Sequence, residues 1–173
     1  MPAQPAEQAA TVAGPSPGVP PLAEIAIAAE PEDPRVWVPQ APNVWFRPLL
    51  FNTVTGQWCN LLRVTAAGVV SRHRHPGAVF GYVIKGRWRY HEHPWTAEAG
   101  HFVYEPPGEI HTLAVPEGCP EMITFFNIGG VMLYLDDAGA LTGYEDVFTK
   151  IERCEAHYEQ VGLGAGYVRQ FVR

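Results

Sequence analysis

Basic residues are scarce in this chain: 12 Lys and Arg stand against 18 Asp and Glu, a formal net charge of -6 over 173 residues. Displacing counterions from a phosphate backbone needs clustered cations, so the balance argues against a nucleic-acid partner. Long apolar runs are also missing, and nothing approaches the ~20 residues that cross a bilayer; no membrane partner is expected. No Lys or Arg precedes Arg35, so neither a secretory n-region nor an Arg-rich transit peptide is read, and a cytoplasmic location is expected. Cysteine is limited to Cys59, Cys119 and Cys154, an odd number without CxxC spacing, which fits reduced thiols and not a disulfide framework. What remains, 47% hydrophobic and 17% charged, is the composition of a globular chain of single-domain size.

Three segments follow from the pattern. Residues 1–21 hold six of the 17 prolines among Ala, Gly and polar residues, with no apolar period to offset ordering entropy, and read as a flexible arm. The apolar stretch LAEIAIAAE at 22–30 suits an arm that orders across a neighbouring subunit. Residues 22–140 read as a β-barrel. From Val44 to Leu135 short runs such as VWFRPLLF, VFGYVIKG, RWRYHEH, HFVYE and MITFFNI alternate with Gly and Pro turns, the signature of an all-β sandwich or barrel. Residues 141–173 read as a C-terminal helix and tail. Val147, Ile151, Cys154, Tyr158 and Val161 recur at steps of four and three, a helix face that packs on the barrel or on a second subunit. Thr142 with Glu145 reads as its capping box, and Gly162 and Gly164 as its stop.

The chemistry concentrates in SRHRHPG, 71–77, and GHFVYEPPGEIH, 100–111. On a strand, residues i and i+2 share a face, so His73 and His75 can hold one ion through ring nitrogens at about 2 Å. A third imidazole, His111, follows a tight corner at Pro106-x-Gly108. The second HxH pair, His91 and His93, lacks flanking glycines and faces outward if Trp88 and Tyr90 face inward; a surface role is expected for it. His101 and His157 have no partner at useful spacing.

These two stretches resemble the motifs of the cupin superfamily, a double-stranded β-helix or jelly-roll barrel: Gly68, His73, His75 and Gly86 match the first, and Gly100, Pro106, Gly108 and His111 the second. The resemblance implies that His73, His75 and His111 bind a metal. Val79 occupies the place of the first motif's usual carboxylate ligand, and Val115 that of an asparagine in the second. A site of three neutral imidazoles is therefore expected, one that leaves a divalent ion its full charge and favours an anionic oxygen ligand from the substrate. Fe2+ is the expected metal, with Zn2+, Mn2+ and Ni2+ as alternatives.

In its Pro-rich arm, SRHRHPG, VYEPPGEIHTL and C-terminal helix the chain also resembles the 2,4'-dihydroxyacetophenone dioxygenase group. That likeness implies an iron enzyme using O2 to cleave an aryl hydroxyketone into 4-hydroxybenzoate and formate. Glu105, beside the Pro-Pro-Gly corner, is the candidate base, an ordinary solvated carboxylate being its plain alternative. Trp88 with Tyr90, or Phe102 with Tyr104, could line an aromatic pocket or simply fill core; Tyr90 is preferred as the second catalytic candidate. Competing functions are a metal-binding sensor cupin resembling the anti-sigma factors and a cupin isomerase or hydrolase with another metal. Exposed barrel edges lead us to expect a homodimer or homotetramer.

Overall fold

A computed structural model describes residues 22–28 and 33–173; the arm expected at 1–21 lies outside the described residues. Twelve strands follow a short 3-10 turn at Pro34–Val36. They are β1 (Val38–Ala41), β2 (Val44–Phe51), β3 (Trp58–Val64), β4 (Gly68–Arg74), β5 (Val79–Lys85) and β6 (Arg87–Tyr90). The second half comprises β7 (Ala97–Glu98), β8 (Phe102–Glu105), β9 (Ile110–Val115), β10 (Met122–Ile128), β11 (Met132–Leu135) and β12 (Leu141–Glu145). One helix, α1 (Val147–Gln160), and a 3-10 segment at Ala165–Phe171 complete the chain.

The strands form two six-stranded sheets, ordered β1-β2-β3-β10-β5-β8 and β12-β11-β4-β9-β6-β7. Every pairing within them is antiparallel. This is the all-β jelly-roll barrel expected from the turn-punctuated runs. Strand alternation turns Phe46, Trp58, Val83, Trp88 and Met122 into the barrel, each fully buried. Burial of each such side chain contributes about 1.5–3 kcal/mol, enough to fix the register, because a one-residue slip would expose the whole inward set. Gly86 shows how tight the turns are: its φ is +71°, and a Cβ there would collide with the Glu121 carbonyl oxygen.

Two sequence expectations for the C-terminal segment need correction. Residues 141–145 form β12 and extend the second sheet, so the sheet does not end at 140. The helix is capped not by Thr142 and Glu145 but by Asp146, whose side chain accepts from the Thr149 amide at 2.8 Å while Thr149 Oγ1 accepts from the Asp146 amide. Glu145, expected in that capping box, is instead drawn into the interior by Lys150, its Oε2 lying 2.8 Å from the ammonium. The α1 stripe packs on the chain's own barrel, with Cys154 and Tyr158 fully buried and the Tyr158 hydroxyl donating to the Val36 carbonyl. Residues 22–28 likewise lie against their own chain: the Arg47 guanidinium donates to the Ala28 carbonyl at 2.7 Å, and Ile27 packs on the core.

Candidate metal centre

His73 and His111 are direct cross-strand partners in β4 and β9, so both rings enter the barrel side by side, centroids 4.7 Å apart. His75 lies just beyond β4 on the same face, its ring 4.8 Å from that of His73. The Pro106-x-Gly108 corner fixes it: the Gly108 amide, at a φ of +91°, donates to the His75 carbonyl at 2.7 Å. One turn thereby joins the end of β8, the start of β9 and the end of β4. Ser71 Oγ lies 3.0 Å from His73 Nδ1, which leaves Nε2 of that ring for the centre. Tyr90 stacks on His111 with centroids 3.9 Å apart.

The expectation of a carboxylate-free site does not hold. Glu105 is 3% exposed, its Oε2 3.3 Å from His111 Nε2 and 3.6 Å from His75 Nε2. The reason lies in the sheet register: Glu105 on β8 pairs directly with Val79 on β5. The carboxylate missing at Val79 is thus supplied from the adjacent strand, at the same level of the barrel. This also disposes of the solvated-carboxylate alternative for Glu105. Sequence spacing places Glu105 near a turn but cannot show which residue lies opposite it.

His73, His75, Glu105 and His111 offer four donor atoms within 4.8 Å of one another, all buried. Donors bound to one tetrahedral ion at about 2.1 Å stand about 3.4 Å apart, which matches the two distances from Glu105. Among the described residues, Glu105 Oε2 and both ring nitrogens of His111 have no hydrogen-bond partner. Buried polar atoms left unpaired are costly, and a cation at their centre answers that cost. The residues therefore fit a divalent metal. Burial, reinforced by the neighbouring imidazoles, holds the His73 pKa well below its usual value. Burial takes His75 down to about 4, against the opposing pull of Glu105. Both rings are neutral at pH 7, the form that ligates metal.

Tyr90 donates to Glu105 Oε1 at 2.5 Å, and burial beside that carboxylate pushes its pKa well above the ordinary phenol value. It holds one carboxylate oxygen while the other faces the imidazoles. Trp88 and Tyr90 are the inward pair, 0% and 2% exposed; Phe102 and Tyr104, at 64% and 54%, face away and line no part of this site. His93 pairs with Glu109 at 3.0 Å and His91 is exposed, apart from the cluster. The cavity beside the site is bordered by His73, His75, Tyr90 and Glu105, with apolar walls from Leu62, Val70, Phe126 and Met132. Asn60, Gln40 and Lys150 also line it, and sequence reading missed them. Lys150 follows Val147 by three residues and so lies on the buried helix face, but its charge makes it look like a surface position.

A fold and a site of this kind define a metal-binding cupin. The profile of the family described as "ChrR Cupin-like domain" matches residues 27–130, and the chain belongs to that family. Its fold is similar to an RmlC-like cupin from Ralstonia eutropha JMP134, at 35% identity over 73% of this chain and 83% of that one, TM-score 0.70. It is also similar to an acetylacetone dioxygenase from Acinetobacter johnsonii, at 17% identity over 80% and 98% of the two chains, TM-score 0.65; at that identity the likeness shows fold alone. No curated protein matches the sequence. Among the described residues no helix is long and apolar enough to cross a membrane.

Proposed function

We propose that this cupin is an iron(II)-dependent dioxygenase that cleaves the carbonyl to hydroxymethyl carbon bond of an aryl hydroxyketone, 2,4'-dihydroxyacetophenone being the substrate type. The carrying observation is the buried three-histidine, one-carboxylate cluster opening onto a largely apolar cavity in which Glu105 is the only acid among the described residues. The acetylacetone dioxygenase named above shares the fold and supports the reading as a precedent for cleaving an enolisable ketone. Bound iron(II) would supply Lewis-acid stabilisation of the ionised ketone and electron transfer to O2.

The protein's own groups perform the rest. His73, His75 and His111 would hold the metal with Glu105 as fourth donor. Glu105 lowers the net charge of a divalent centre to about +1, matched by a singly ionised hydroxyketone. With Oε2 given to the metal and Oε1 held by Tyr90, Glu105 serves as an anionic donor and not as the base expected from the sequence, and the proton the ketone loses passes to solvent. Apolar walls exclude water and so strengthen the attraction between an ionised ketone and the cation these residues would hold. The stoichiometry closes without another reductant: hydroxyketone plus O2 gives the aryl carboxylate and formate, one oxygen atom entering each product.

The test is an oxygen-electrode trace with iron(II)-loaded protein and 2,4'-dihydroxyacetophenone, with formate measured in parallel. One O2 consumed and one formate released per ketone is the expected result, lost together with bound iron in His73→Ala and His111→Ala. Metal binding without O2 uptake on any enolisable ketone would leave the sensor reading, and turnover with Zn2+ but without O2 the hydrolase reading.

A further inference from the structure

The cavity beside the histidines has a second polar wall. Asn60 is 4% exposed on the inward face of β3 and lines the cavity together with Gln40 and Lys150. Behind it lies a closed ring of hydrogen bonds. Lys150 Nζ donates to Gln40 Oε1 at 2.9 Å and meets Glu145 Oε2 at 2.8 Å; Gln40 Nε2 donates to the Tyr134 hydroxyl, which donates to Glu145 Oε2. These contacts use two of the three ammonium N–H groups. Arg153 lies 3.4 Å from Glu145 Oε1, so one carboxylate faces two cations and the network carries one positive charge in excess.

Sheet register separates this wall from the metal centre. Glu105 pairs with Val79, Val79 with Ile128 and Ile128 with Trp58, and Asn60 follows Trp58 by two residues on the same face. Three strand spacings, about 14 Å along the sheet, therefore separate the backbones of Glu105 and Asn60, whose side chains both turn into the cavity. The floor between them, from Ile128 and Phe126, is apolar. A guest spanning this cavity meets polar groups at both ends and hydrocarbon between.

We propose that Asn60, backed by Gln40 and Lys150, forms a second subsite that takes an oxygen substituent of the substrate, hydroxyl or anionic, at the end remote from the histidines. This deepens the aryl hydroxyketone reading and rests on it for the identity of the near end. The unliganded cavity is small, about 50 Å³, room for a few waters. The half-buried, flexible Met132 is the wall that yields to a ring.

Calorimetric titration of metal-free protein tests the subsite apart from any reaction. The wild type is expected to bind 4-hydroxyacetophenone at least tenfold more tightly than acetophenone. Asn60→Leu should erase that preference while keeping acetophenone affinity. Asn60→Asp, isosteric and negative, should abolish binding of 4-acetylbenzoate. Equal affinities in the wild type, binding of neither compound, or a preference that survives both substitutions overturns the proposal. A retained preference with no O2 uptake on any ketone would instead fell the dioxygenase reading and leave the subsite standing.

A different surface carries a second inference. Phe80, Tyr82 and Ile84 on β5 and Phe102 and Tyr104 on β8 are each 41–64% exposed and share the outer face of the first sheet, at the edge closed by β8. The outer face of β2, β3 and β10 is covered by the chain's own Trp37, Leu163 and Tyr167, whereas among the described residues β5 and β8 receive no such cover. With roughly 150–250 Å² per ring, the five side chains leave about 400 Å² of apolar surface open. That is about half of the ~800 Å² each partner of a stable complex buries, the apolar centre of an ordinary interface. We infer that this face joins two copies of the chain about a two-fold axis, since an uncharged patch on an edge is complementary to itself. Sedimentation at about 10 μM should show a dimer or a multiple of it, and Phe102→Glu and Tyr82→Glu should each halve the mass without loss of fold. A monomeric wild type, or oligomers unchanged by both substitutions, overturns the inference.

Discussion

Replacing Glu105 by Gln should raise the stability of the metal-free protein and shrink the stabilisation that metal confers. Without metal, Oε2 is a buried carboxylate oxygen with no hydrogen-bond partner among the described residues. Neutralising the group while keeping an acceptor for Tyr90 relieves about 1–3 kcal/mol of unsatisfied burial. For a domain of this size about 1 kcal/mol corresponds to about 2–4 °C in Tm, so the metal-free variant should melt about 2–12 °C higher. With metal, loss of an anionic donor at ligand distance should cost at least about a hundredfold in affinity, about 2.7 kcal/mol. At saturating metal that cost acts through mass action on top of the metal-free gain, so the rise in Tm that metal brings should shrink by about 5–11 °C. Differential scanning calorimetry with and without iron(II) or zinc reads both shifts. If the variant keeps the wild-type metal affinity and the wild-type rise in Tm on metal loading, Glu105 is not a metal donor and the register argument fails.

Because Glu105 and Val79 are cross-strand partners, Val79→Glu should restore part of the metal affinity lost in Glu105→Ala, measured by competition with a chromophoric chelator; no recovery would show that the carboxylate cannot be exchanged between strands. Gly86→Ala should cost more than about 2 kcal/mol in urea unfolding, because the positive φ and the Glu121 carbonyl both oppose a side chain; Gly68→Ala, with nothing within 4 Å, should cost clearly less. Glu121 is held below its ordinary pKa of 4.5 chiefly by the hydrogen bond from Lys85, and also by Arg63. Its folded pKa is depressed, so its contribution is present above about pH 4.5 and is lost as pH falls through the folded value. With Lys85 57% exposed, that contribution is at most about 1 kcal/mol, and Glu121→Gln should flatten the acid limb of a stability-pH curve by no more than that.

The sequence by itself determined the barrel and the three imidazoles, because both are local signals. Alternation at period two, Gly and Pro at the turns, and His73 and His75 two residues apart are properties of short windows that tertiary context seldom reverses. The inward pairing of Trp88 with Tyr90 follows from the same period. Only the tertiary structure decided the charge of the site. Glu105 acts at Val79's level of the barrel because β8 pairs with β5, a contact between segments that share no periodic signal. The same holds for Lys150, Gln40 and Asn60, brought to one cavity from a helix and two strands. It holds also for Glu145, which a capping pattern claimed for the helix but an ion pair with Lys150 claimed for the interior. Local pattern specifies which residues face inward; which of them meet is set by register and by the packing of distant elements, where burial and charge pairing outweigh local propensity.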